Sequence, residues 1–134
     1  MTIYALSTAN GISGLAVIRI SGHLALTALK TLTRKSNFTS HLISQNKIYD
    51  PLNGNHIDNC LALYFAKPKS FTGEDMVEIA PHGSSAVIKE IFKTLNSMKY
   101  LRVADPGEFT RRAFENNKLD LTQVEAISDI INAE

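Results

Sequence analysis

Cysteine is nearly absent from this 134-residue sequence, and tryptophan is entirely so. A single thiol, Cys60, excludes an internal disulfide and any multi-cysteine zinc site, which suits a reducing compartment. No run approaches the roughly 18 apolar residues of a spanning helix, and residues 1–20 lack the basic start and apolar centre of a secretory signal. The expectation is a cytoplasmic protein with no membrane contact. Charge of one sign is missing too: 14 Lys and Arg against 13 Asp and Glu leave a formal charge of +1, so the chain as a whole does not attract nucleic acid. His23, His41, His56 and His82 are scattered without ligand spacing, which predicts no metal site. Nor does any G-x-x-x-x-G-K-[ST] run occur, so the phosphate-cradling loop of nucleotide hydrolases is not encoded here.

What is present is an ordinary soluble composition, 44% hydrophobic and 20% charged, in a length that suits one domain. TIYALS (2–7) and LAVIRIS (15–21) read as strands joined by a turn-rich loop. Ser21-Gly22 then opens a helix with Ala25, Ala28, Leu29 and Leu32 on one face. Residues 34–46 are polar and unpatterned, a connecting loop. Residues 47–49 and 59–66 flank Asn53-Gly54 and predict a hairpin, whose second arm CLALYFA is apolar on both alternating faces, as in a strand covered on both sides. A strand over 76–80 follows, then a helix over 84–98 carrying Val87, Ile88, Ile91, Phe92, Leu95 and Met98 at helical spacing, then a short strand over 100–104. The predicted fold class is α/β (α+β): a mixed sheet of about five strands with helices packed on it.

Residues 105–127, DPGEFTRRAFENNKLDLTQVEAI, are the densest in signals. Pro106-Gly107 is a turn, Asn116-Asn117 breaks a short helix and exposes Lys118 on a corner, and Thr122 with Glu125 fits a capping box. Glu134 ends the sequence inside an apolar helical period without a stop signal, which reads as a fragment of something longer.

Two charges sit where a strand should be apolar, Arg19 in LAVIRIS and Glu78 in MVEIA. A buried unpaired charge is costly, so either the two pair or reach solvent at strand ends, or they face a ligand. An ionised Glu78 accepts from two adjacent N–H donors, Arg19 offers a planar donor fork, and Lys118 is a mobile cation suited to an anionic tail. Weaker candidates are His82 as an acid or base, Asn10 to Gly14 as a phosphate cradle, and Arg111-Arg112 as an RNA contact. Each has a plainer reading: a bonded strand-end histidine, an incomplete glycine motif, and the solvated face of a helix. Phe71, Phe109 and Phe114 read as core.

Three runs in order, VIRISG (17–22), KSFTGEDMVEIAPHG (69–83) and the DPGEFTRRAFENNKLDLTQVEAI stretch, resemble signatures of the MnmE/TrmE family of tRNA-modifying GTPases in its N-terminal folate-binding domain. The resemblance spans the chain. It implies a folate-binding, aminomethyltransferase-like fold over 1–121, with 122–134 starting a helix toward a helical and GTPase region. It also implies a tetrahydrofolate derivative (5-formyl- or 5,10-methylene-tetrahydrofolate) held by residues matching Arg19, Glu78 and Lys118, with no catalytic residue in this chain. A homodimer, a MnmG/GidA-type flavoprotein partner and tRNA reached through the full complex are implied as well. GTP, K+ and Mg2+ would belong to the longer protein alone, whose product is a 5-carboxymethylaminomethyl-type uridine at the tRNA wobble position. Departures from the family pattern fall at Ile12, Ser13, Ala16, Pro81, Asp105 and Arg111, around the expected pocket. Two alternatives stand beside this reading: a dimerising module without folate binding, and a folate-dependent one-carbon transferase.

Overall fold

The computed structural model describes residues 1–8 and 16–132. The expected phosphate cradle and joining loop over 9–15, and the chain end at Glu134, lie outside the described residues. In chain order the elements are β1 (Thr2–Thr8), β2 (Ala16–Ser21), α1 (Ala25–Thr33), β3 (Ser44–Tyr49), β4 (His56–Phe65) and β5 (Met76–Pro81). Then come α2 (Ser85–Ser97), β6 (Leu101–Val103), α3 (Glu108–Glu115) and α4 (Leu121–Asn132). The six strands form one mixed sheet in the order β3-β4-β5-β2-β1-β6, antiparallel except for the β1–β6 pair. The mixed α+β class matches the sequence reading, with six strands where about five were expected.

Alternation decides which side of the sheet is core. Tyr4 pairs with Ile20 and Ile18 with Ile79, so Tyr4, Ile18, Ile20, Val77 and Ile79 share one face and are fully buried. Onto that face α1 lays Ala25, Ala28, Leu29 and Leu32, and α2 lays Ile91 and Leu95. Both helices therefore cover the same side. The apolar-both-ways reading of β4 is corrected accordingly: Cys60 and Ala62 enter the core, but Leu61 turns to the opposite face and is 46% exposed. Phe71 and Phe114 are exposed as well, on a loop and on the outer side of α3, and are not core. β3 begins earlier than its apolar residues suggested, because Asn46 is buried with its amide donating to the Ser44 carbonyl and hydroxyl.

The start of α4 also differs from expectation. The Asp120 carboxylate accepts the Gln123 N–H at 2.7 Å, and the Gln123 amide oxygen accepts the Asp120 N–H at 2.8 Å. This reciprocal capping box sits two residues before the Thr122–Glu125 pair, because the helix itself starts at Leu121. Replacing Asp120 by alanine is expected to cost about 1 kcal/mol, read from the midpoint of urea unfolding, whereas Thr122→Ala should leave that midpoint unmoved.

Candidate functional site

The sheet face opposite α1 and α2 is only partly covered, and it carries the two strand charges. Arg19 and Glu78 are direct cross-strand partners on β2 and β5, flanked in the same row by Ala5 and Leu63. Their nearest charged atoms, Arg19 Nε and Glu78 Oε2, lie 3.6 Å apart, too far for a hydrogen bond. The side chains stay 37% and 28% exposed, a setting in which an ion pair contributes about 0–1 kcal/mol. Arg19 Nε is nevertheless shielded from solvent and has no acceptor among the described residues. An N–H left in that state costs about 1–3 kcal/mol until an acceptor reaches it.

One end of this face is roofed by the loop before β5 and by α3. Ser21, two residues from Arg19 and so on the same face, shares a hydrogen bond with Thr72 at 2.7 Å and donates to Glu74 at 2.8 Å. Glu74 in turn receives Arg112 of α3 at 3.1 Å. Past α3 the chain turns through a Schellman motif: Asn117 is left-handed at φ 59°, its N–H donates to the Phe114 carbonyl, and the Lys118 N–H donates to the Ala113 carbonyl. Lys118 is thereby exposed beside Gly73 of the loop before β5. Arg19 and Glu78 are brought together; Lys118 lies beside Gly73, on the loop whose Thr72 is bonded to Ser21, and among the described residues it forms no ion pair with Glu78 or any other carboxylate.

Arg112 corrects the reading of an arginine pair in solvent. Only Arg111 is open, while Arg112 is 13% exposed and spans Glu74, Glu108 and the Met1 carbonyl. Glu108 is the centre of this network: its carboxylate, 1% exposed, receives both guanidinium nitrogens of Arg102 at 2.7 and 2.6 Å, and the Asp105 N–H at 2.9 Å. Those bonds from Arg102 above all, against the opposing effect of burial, hold the Glu108 carboxyl down at about 2. Sequence reading missed it, although an acid following Pro-Gly at a helix start, three residues from a turn aspartate, is a capping signal.

At the other end of the face, Gln45, Lys47, Asn59, Leu61, Ala80 and His82 line a groove of about 660 Å³. The Asp58 carboxylate accepts the backbone N–H groups of His82 and Gly83, so the main chain at His82 is held while its ring is exposed. Burial pushes the Cys60 thiol up to about 12, so it is not a nucleophile. Among the described residues no cluster of three or more His, Cys, Asp or Glu could hold a metal, and no helix is long and apolar enough to cross a membrane.

The chain is thus an α+β domain, a six-stranded mixed sheet with α1 and α2 on one face and a partly open, charge-bearing face on the other. Residues 2–118 match the family described as "GTP-binding protein TrmE N-terminus", and this chain belongs to that family. It is 48% identical over 133 residues to a "tRNA modification GTPase MnmE" of Rickettsia bellii, 50% to one of Parvibaculum lavamentivorans and 49% to one of Anaplasma phagocytophilum. These matches cover 99% of the chain but only 29–30% of the relatives, so the chain spans about a third of the length of the proteins it matches.

Proposed function

We propose that this chain is the tetrahydrofolate-binding, dimerising N-terminal domain of a tRNA modification GTPase. The observation that carries the reading is the Arg19–Glu78 pair: two charges on an open sheet face, apart by 3.6 Å, with a solvent-shielded Arg19 N–H that has no acceptor among the described residues. Such a pair is half-used. A reduced pterin offers Glu78 two adjacent N–H donors and offers Arg19 a ring carbonyl, which would give that N–H its acceptor. Lys118 would receive the acidic tail.

When bound, the folate would supply a one-carbon unit; the chain's own residues bind and orient it. In the whole protein, GTP, K+ and Mg2+ would serve a separate GTPase region. A MnmG/GidA-type flavoprotein would share in making the modified wobble uridine of tRNA.

Isothermal titration with 5-formyltetrahydrofolate tests the site. Saturable heat is expected, with affinity falling at least about tenfold in Arg19→Ala and in Glu78→Ala, the effect of losing a charged hydrogen-bonding partner. Absence of heat, or affinity unchanged in both variants, would overturn the folate reading.

A second reading has its own support in Leu61, which stands on the open face with half-buried Leu63 beside Glu78. An apolar strip there suits a second copy of the chain. Dimerisation in sedimentation runs without folate uptake would favour a module that only dimerises.

A further inference from the structure

Asn116 does something unusual for a residue that ends a helix. Its amide donates to the Arg112 carbonyl of its own helix at 3.0 Å and also reaches across to the Thr72 carbonyl at 2.9 Å. Both amide hydrogens are thereby used, one on each side of the gap between α3 and the loop before β5. Thr72 is fully buried, and its hydroxyl is bonded to Ser21, two residues from Arg19. The next residue of the loop is Gly73, left-handed at φ 80°, where an added Cβ would come within 2.8 Å of Asn116 Cβ and 3.5 Å of Lys118 Cε. The lysine stem therefore lies against bare backbone. Without a carboxylate partner among the described residues, nothing but this contact and the Asn117 turn limits where the Lys118 ammonium goes.

We propose that Asn116 is a positioning residue: with Thr72 and Gly73 it clamps the Lys118 corner at a set span from the Arg19–Glu78 pair, and so determines where the acidic tail of the ligand is received. The inference rests on the folate reading above and deepens it. Arg19 and Lys118 then belong to one rigid frame, connected through Ser21, Thr72 and Asn116, instead of to two independently moving elements. Loss of the clamp should spare recognition of the ring and impair recognition of the tail.

The test is a titration of the 134-residue chain and of Asn116→Ala, Lys118→Ala and the double variant, each with 5-formyltetrahydrofolate and with tail-less 6-methyltetrahydropterin. Each single variant is expected to weaken the tailed ligand by about three- to fivefold, the upper part of the range for an exposed charge contact, and to leave the tail-less pterin within about twofold. The double variant should bind the tailed ligand no more weakly than Lys118→Ala, because a misplaced lysine and an absent one are equivalent. If Asn116→Ala does not fold, Asn116→Ser keeps a polar helix end too short to reach Thr72, and carries the same expectation.

Equal weakening of both ligands by the Asn116 variants, or losses that multiply in the double variant, would overturn the clamp. So would intact tailed-ligand affinity in Asn116→Ala when Lys118→Ala has lost it. Failure of the unaltered chain to bind either ligand is a different result and removes the folate reading itself.

Discussion

Glu108→Ala is expected to destabilise the domain by about 3–5 kcal/mol, the range for removing one partner of a buried charge network. Three arginines converge on that one carboxylate: Arg102 through paired bonds, Arg112 at 3.2 Å and Arg111 at 3.4 Å, with Asp105 alongside. Without it, Arg102 loses its main acceptor and Arg112 is left on Glu74 alone among side chains. The Arg102–Glu108 contact tying β6 to α3 is then gone, leaving α3 held by Arg112 on Glu74 and Asn116 on the Thr72 carbonyl. The melting temperature should fall by roughly 10–20 °C for a domain of this size.

The same carboxylate sets a pH signature. Its folded pKa of about 2 lies below the ordinary 4.5, so the stability it contributes is fully present above about pH 4.5 and is lost as pH falls toward 2. The difference is worth roughly 3 kcal/mol. Urea unfolding followed from pH 6 to pH 2.5 should show the wild type losing stability more steeply below pH 4.5 than Glu108→Gln, which has no proton to take up there. Parallel curves would remove Glu108 as the source.

Gly22→Ala is the second large effect, about 3–5 kcal/mol from backbone strain and overpacking together. Gly22 sits at φ 135°, a conformation that side-chain-bearing residues rarely adopt, and an added Cβ would lie 2.7 Å from the Thr2 Cα. That neighbour cannot yield. Thr2 is fully buried, its N–H donates to the Tyr100 carbonyl at 3.1 Å, and its hydroxyl accepts the Leu24 N–H at 3.0 Å. Gly54→Ala is the matched comparison: φ there is also positive, at 78°, but the only near atom is the flexible end of Arg34. Its cost should stay near 1 kcal/mol. Equal losses in the two variants, measured by denaturant unfolding, would show that the crowding at Thr2 does not matter.

Much of the architecture was legible in short stretches of sequence because its signals are local. Runs of branched apolar residues in AVIRIS and MVEIA, helical spacing in α1 and α2, and the Asn116-Asn117 break each depend on a few neighbouring residues. Arg19 and Glu78 were conspicuous for the same reason, as charges out of step with their strands. The same local reading set the capping box two residues late, because Thr122–Glu125 and Asp120–Gln123 both satisfy the spacing and only the actual helix start selects between them.

Tertiary structure alone decided what those residues face. Sheet order set Arg19 opposite Glu78, and placement of α1 and α2 on one side left Leu61 and the charged pair on the other. Packing of α3 onto the loop before β5 drew Arg112 between Glu74 and Glu108 and set Lys118 against Gly73. Residue type and spacing determine an element and its two faces. Which face meets solvent, and which charge meets which, follows from long-range pairing whose free energy is shared across the whole sheet and recorded in no single segment.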